Sequence, residues 1–85
     1  MRQAVEEAIS APKLEELEAI AAFPSVVGLA LAAKTGKPFM KKGVMTVRVM
    51  AAPLRHELNM MRSTIAAAIN AAVGKETVKE LRFTG

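Results

Sequence analysis

A long apolar stripe in the second half of the chain constrains the fold more than any other sequence feature. Its members recur three or four residues apart, which is the period of one face of an α-helix. Pro53 occupies a first-turn position, where proline fits, and Gly74 is a typical C-terminal stop. The pattern therefore predicts one long helix that must bury an apolar face. The stripe consists of Leu54, Leu58, Met61, Ile65, Ile69 and Val73.

Residues 37–51 change to the two-residue alternation of strands, and Lys42-Gly43 predicts a tight hairpin turn. With these two residues as the loop, facing residues have numbers that sum to 85, so Met40 faces Met45 on the core side. A loop longer by one residue would reverse the faces of one strand. The residues assigned to the opposite face are Lys37, Phe39, Lys41, Val44, Thr46 and Arg48.

The remaining elements are predicted from shorter patterns. Residues 1–12 have a weak helical pattern. A second helix follows, and Phe23-Pro24 is a boundary or kink from which a third helix runs to Lys34. Gly28 lies inside this third helix, where we interpret it as a site of close backbone packing. The apolar residues assigned to the inner face of the second helix are Leu14, Leu17, Ile20 and Ala21.

Val78–Thr84 alternates again and predicts a final strand with Leu81 and Phe83 inward and Glu80 and Arg82 outward. The whole order is helices, hairpin, long helix and strand. We therefore predict a single α+β domain over residues 1–85, in which the long helix packs in two layers on a three-stranded sheet.

Charge is distributed unevenly along the chain. Residues 1–33 carry a net charge of −3 and residues 34–85 a net charge of +7, within a total of +4. A basic half beside an acidic half favours a polyanion-binding surface, although a merely solvated basic surface explains the composition equally well.

The chain offers little chemistry for catalysis. It has no Cys, no Asp and one histidine, His56, which is most simply an exposed helix residue. Neither an Asp-containing triad nor a histidine metal cluster can be assembled, and no glycine spacing fits a phosphate loop. We therefore expect no catalytic residues, no metal and no cofactor. The longest uncharged run, residues 19–33, is too short to span a membrane, and we expect a cytoplasmic protein.

The hairpin carries the strongest functional signal, because basic residues there surround an aromatic one. This combination is typical of a surface that binds single strands through phosphates and a stacked base. The alternative makes Phe39 a core residue and the lysines a guard against edge-strand aggregation. The candidate nucleic-acid-binding residues are Lys34, Lys37, Phe39, Lys41, Lys42, Arg48 and Arg55.

Five segments carry short motifs that are informative when taken together. Residues 23–35 are similar to the pattern W-x-x-V-V-G-x-x-L-A-x-H-T, and residues 43–49 to the pattern G-V-L-x-V-x-V. Residues 54–58 match L-R-x-E-L, residues 69–74 resemble L-N-x-x-L-G, and residues 78–83 resemble V-x-x-I-R-F. In this order and with these spacings, the five segments resemble the DciA family of bacterial replicative-helicase operators.

This resemblance implies a KH-like α+β domain that binds single- or double-stranded DNA and assists the replicative helicase. Phe23 stands where the family typically has Trp, which makes it a candidate partner contact. The chain lacks the G-x-x-G loop of true KH domains, so binding is expected through the basic surface. The alternatives are a protein–protein adaptor or homodimer module without nucleic-acid binding, and a KH-like RNA-binding protein.

Two further residues receive structural predictions. We expect Phe23 to be mainly a core residue at the junction of the N-terminal helices. We expect the Asn70 amide to bind the backbone between the long helix and the last strand, although an ordinary solvated position is an equally good interpretation.

Overall fold

The computed structural model describes residues 14–85, so the helix predicted over residues 1–12 lies outside the described residues. The described part is an α+β fold with a three-stranded mixed sheet, which confirms the predicted class and is compatible with a KH-like topology. Its elements are α1 (Leu14–Val27), α2 (Leu29–Ala32), β1 (Phe39–Lys41), β2 (Val44–Arg48), α3 (Ala52–Met60), α4 (Arg62–Val73) and β3 (Glu80–Thr84).

The hairpin has the predicted register. β1 and β2 are antiparallel and pair Phe39 with Thr46 and Met40 with Met45. Lys42 and Gly43 both have positive φ angles, of 51° and 83°, which is typical of the two-residue type I′ turn. The turn matches the right-handed twist of the strands, and its length fixes which side chains face the core.

The third strand completes the sheet from the other end of the chain. β3 lies beside β2 and runs parallel to it, so the sheet order is β1-β2-β3. A parallel neighbour requires a crossover connection, which α3 and α4 provide. Because both helices pack against β3, they cover one face of the sheet. The largest fully buried side chains are Phe23, Met45, Val47, Val49, Leu58 and Ile69.

The long helix predicted from Pro53 to Gly74 is interrupted, and that prediction is wrong at Met61. This residue has φ −105° and ψ 9°, and its N–H donates to the Leu58 carbonyl three residues earlier. Met61 is 47% exposed, whereas Leu58 and Ile65 on either side of the break are buried. The break divides the predicted helix into α3 and α4, and both of these pack against β3.

Of the two alternatives at Phe23-Pro24, a helix boundary or a kink, the boundary is wrong, because α1 continues through Pro24 to Val27. The break comes at Gly28, which has φ 95° and ψ 144°. A Cβ at Gly28 would meet nothing within 4 Å, so this glycine serves the positive φ angle and not close packing. α2 then ends at Ala32, before Lys34, and the Thr35 hydroxyl donates to the Ala32 carbonyl at 3.0 Å.

The inner face of α1 differs from the predicted one. Ala19 and Phe23, four residues apart, are the buried members of this helix, whereas Leu14 and Leu17 are exposed. At about 100° per residue, Leu14 and Leu17 point roughly 140° and 160° away from Ala19. The helical spacing of the apolar residues predicted that Leu14 and Leu17 face inward, but the packing of Phe23 sets the rotation of the helix.

Phe23 is a core residue, as predicted. It is 1% exposed, and its ring centroid lies 6.4 Å from that of Phe83 on β3, with the rings tilted by 43°. This contact between the two rings joins α1 to β3 of the sheet. In this conformation the Phe23 ring has no surface to offer a partner.

The Phe23→Ala variant should lower the free energy of unfolding by about 3–5 kcal/mol, because it removes a buried ring and leaves a cavity. Phe39→Ala is the matched control, since Phe39 is 60% exposed and its loss should hardly move the denaturation midpoint. Chemical denaturation of both variants measures the difference. Equal midpoints for Phe23→Ala and the parent would contradict the core assignment.

Asn70 makes the predicted link between α4 and β3. Its Oδ1 accepts the N–H groups of Thr77 at 3.0 Å and Val78 at 2.8 Å, and its Nδ2 donates to the Val78 carbonyl at 3.0 Å. Gly74, at φ 89°, ends α4 in a left-handed conformation. One side chain therefore satisfies three backbone groups of the loop that leads into β3.

The Asn70→Ala variant should lower the free energy of unfolding by about 1–3 kcal/mol, because the N–H and the carbonyl of Val78 lose their side-chain partner. The Thr77 N–H keeps its hydrogen bond to the Lys75 carbonyl at 2.9 Å. The control is Asn59→Ala, which loses a single long hydrogen bond of 3.4 Å to the Phe83 carbonyl. Thermal melting should therefore separate the two variants. If Asn70→Ala melts with the parent, the link does not stabilise the fold.

Candidate nucleic-acid interface

The candidate site lies on the face of the sheet that points away from the helices. Strand residues alternate between the two faces, so the buried members of each strand leave their neighbours on the open face. The pairing aligns two rows across all three strands: Lys41, Val44 and Glu80 form one, and Phe39, Thr46 and Arg82 form the other. A third row pairs Arg48 with Thr84.

Phe39 is the central feature of this face. Its side chain is 60% exposed, so the alternative interpretation that made it a core residue is wrong. It borders a shallow groove of about 300 Å³. β1 is an edge strand, as the aggregation-guard interpretation of the lysines also requires. The groove is lined by Phe39, Lys41, Lys42, Val44, Thr46 and Arg82, which we call the Phe39 groove.

Cationic side chains continue beyond the Phe39 groove. Arg48 and Lys37 are exposed at the opposite end of the hairpin from Lys41. The Gly36 N–H donates to the Arg48 carbonyl at 2.7 Å, which holds the segment before β1 beside β2. This hydrogen bond holds Gly36, the residue before Lys37, beside Arg48, so Lys37 lies near the end of β2 that is farthest from the turn.

Two predicted residues lie apart from the groove. Lys34 is exposed beyond the end of α2 and does not line the groove. Arg55 is half-buried on α3, and its Nη1 donates to the Val49 carbonyl at 2.8 Å. The Arg55 guanidinium therefore links the end of β2 to α3, a structural contact that its position in the sequence did not predict.

Arg82 is the charged groove residue that sequence analysis did not assign to the site, and the uncharged Val44 and Thr46 line the groove beside it. Alternation placed it outward on the last strand, but nothing local shows which strand β3 joins. The parallel register sets Arg82 beside Thr46, and Thr46 lies beside Phe39. Its position opposite the hairpin is therefore a consequence of strand pairing.

Glu80 is the acidic residue that the described strands place on this face, and it is bound to Arg82. The Arg82 Nε donates to the Glu80 Oε2 at 2.8 Å. This hydrogen bond and the positive charge of Arg82 lower the pKa of the Glu80 carboxyl. The same hydrogen bond and the negative charge of Glu80 raise the pKa of the Arg82 guanidinium. Both groups therefore stay ionised at neutral pH.

A larger cleft of about 500 Å³ lies at the turn end of the hairpin, but its charges are mixed. Glu15, Glu16 and Glu76 line it together with Lys42, Lys75 and Lys79, and Lys75 forms an ion pair with Glu15 at 2.9 Å. Within residues 14–85 no group of three potential metal ligands occurs. The described part of the chain also contains no helix long and apolar enough to cross a membrane.

The structure thus defines a small α+β domain whose open sheet face is cationic and carries an exposed aromatic residue. The sequence matches the family model described as Dna[CI] antecedent, DciA, over residues 1–83. It is also 36% identical over 74 residues to a UPF0232 protein of Rhodococcus jostii (strain RHA1), an alignment that covers 87% of this chain and 39% of that protein. The chain belongs to the DciA family, which confirms the resemblance of its five segments.

Proposed function

We propose that this protein is a non-enzymatic DNA-binding accessory protein that assists the bacterial replicative helicase in the cytoplasm. The observation that carries the DNA-binding half is the exposed Phe39 ring among Lys41, Lys42 and Arg82. The helicase half is supported by membership of the DciA family. The chain spans 39% of the length of the Rhodococcus relative. Any activity that needs the full length of such a protein is therefore proposed for this chain and not taken from the relative.

The open face favours a single strand as its ligand. An aromatic ring that projects from a sheet can stack on a base, and this requires bases that are not paired within a duplex. Same-face residues on one strand lie about 6.5–7 Å apart, so the basic side chains can follow a phosphate backbone along the hairpin. The proposed phosphate contacts are Lys37, Lys41, Lys42 and Arg48. Lys34 and Arg55, which the sequence pattern adds to this track, lie outside the Phe39 groove.

The double variant Lys37→Ala/Lys41→Ala tests the phosphate contacts. Four contacts to a single strand give a slope of log affinity against log salt of about −3, and removing two should flatten it by roughly 1.4. Anisotropy titrations of a fluorescent oligonucleotide at several salt concentrations measure the slope. Both lysines are exposed, so the melting temperature should stay with that of the parent.

The control is Lys75→Ala, which removes one exposed positive charge from the loop after α4, outside the Phe39 groove. Its slope should stay close to that of the parent. Flattening by about 0.7, half of that expected for the lysine pair, would show that net charge, and not the hairpin, governs binding.

The same titrations test stacking on Phe39. Phe39→Ala should weaken binding by about 1–3 kcal/mol with an unchanged salt slope, because a stacked base contributes without neutralising a phosphate. Met60→Ala is the control, since Met60 is a 74% exposed apolar residue on α3. If neither Phe39→Ala nor the lysine pair alters affinity, the hairpin is not the binding surface, and the adaptor or homodimer interpretation is favoured.

The same assay with an RNA of the same sequence tests the RNA-binding alternative. Tighter binding of the RNA would favour that alternative.

The helicase half is tested with the replicative helicase of the same bacterium. The protein should co-purify with the helicase and should increase the amount of helicase retained on a single-stranded oligonucleotide. The measurement is retention on immobilised DNA with and without the protein. A protein that binds DNA but leaves helicase retention unchanged would refute the helicase role and leave DNA binding standing.

A further inference from the structure

Glu80 is an acidic side chain on a face that the proposed function assigns to a polyanion. On charge alone it should repel a phosphate and weaken binding. Glu80, however, belongs to the row of Lys41 and Val44, which is adjacent to the row that contains Phe39 and Arg82. Its carboxylate accepts the Arg82 Nε–H at 2.8 Å. Its position raises the question of whether it opposes the ligand or prepares Arg82 for it.

The hydrogen bond uses one side of the Arg82 guanidinium. An arginine side chain has five N–H donors in a planar fork, and the bond to Glu80 occupies the Nε–H alone. The four Nη hydrogens remain, and Arg82 lines the Phe39 groove. The Arg82 side chain is 57% exposed, so a ligand in the groove can reach it.

A free arginine on a strand would sample many rotamers, and binding would have to restrict them. The carboxylate two residues earlier reduces this freedom before the ligand arrives, because Glu80 and Arg82 lie on the same face of β3. Planar pairs between guanidinium and phosphate depend on orientation, and each combines two parallel hydrogen bonds.

We propose that Arg82 binds a backbone phosphate of the single strand stacked on Phe39 and that Glu80 is its positioning residue. Glu80 thus increases affinity for nucleic acid although its own charge is repelled by it. The inference rests on the proposed DNA-binding function and assigns to the site two residues outside the basic hairpin.

The two effects of Glu80 predict opposite outcomes, so substitution separates them. Glu80→Gln removes the charge but keeps an oxygen that can accept the Arg82 Nε–H. Glu80→Ala removes both. A charge about 7 Å from a phosphate changes affinity at most about threefold in water, which limits the gain expected from neutralisation alone.

We expect Glu80→Gln to bind the labelled oligonucleotide as tightly as the parent or up to about threefold more tightly. Glu80→Ala should bind more weakly than the parent, although its net charge is more positive. Glu57→Ala, which removes an exposed carboxylate from α3, is the charge-matched control and should not weaken binding. If Glu80→Ala and Glu80→Gln strengthen binding equally, Glu80 is a repulsive charge only and the inference is wrong.

Arg82 variants test the contact itself. Arg82→Lys keeps the charge and loses the fork, so affinity should fall while the salt slope stays the same. Arg82→Ala should also flatten the slope by about 0.7, the value for one phosphate on a single strand. Parent-like affinity in both Arg82 variants would overturn the inference.

Failure of this inference is distinguishable from failure of the proposed function. If the lysine pair and Phe39 variants weaken binding while the Glu80 and Arg82 variants do not, the function stands and the role of the Glu80–Arg82 pair is refuted. If the parent protein does not bind the oligonucleotide, both fail together.

Discussion

The parallel pairing of β3 with β2 is the constraint on which the rest of the structure depends. A hairpin of three- and five-residue strands is only marginally stable alone, and the third strand makes it a sheet. Because the new neighbour is parallel, the chain must cross from one end of the sheet to the other before β3 begins. α3 and α4 make that crossing, and their apolar faces cover one side of the sheet and leave the other side open.

The same pairing connects stability to the candidate site. Phe83 on β3 packs against Phe23 of α1, while Arg82 on the opposite face joins the groove beside Phe39. Asn70 holds the loop that leads into β3 through three hydrogen bonds. Positions that maintain the core and positions that form the groove therefore alternate along one strand. This arrangement explains how so small a domain can carry both a core and a candidate binding face on the same strand.

The sheet determines where the charged residues of the sequence lie relative to one another. Lys41 and Lys42 lie near the turn and Lys37 and Arg48 at the far end of the hairpin, so the basic residues extend along the strands instead of forming one cluster. Glu80 places a negative charge among these basic residues, but its Oε2 is paired with the Arg82 Nε at 2.8 Å. A surface ion pair of this kind contributes little to folding, and its value here lies in fixing the direction of an arginine fork.

The sequence by itself determined the elements whose signals are local. Lys42-Gly43 and the two-residue alternation around it determined the hairpin register, because loop length fixes which residues face each other. Gly74 indicated the end of α4, and five short motifs indicated the family. A local pattern was sufficient in each case because the interacting groups are close along the chain.

Only the tertiary structure decided the features that depend on distant contacts. Helical periodicity did not predict the break at Met61, since the apolar stripe continues through it from Leu58 to Ile65. Leu14 and Leu17 are exposed because Phe23 sets the rotation of α1. Strand pairing places Arg82 in the Phe39 groove, and helix docking places the Arg55 guanidinium against the Val49 carbonyl. No local pattern in the sequence connects the residues that meet in these two contacts.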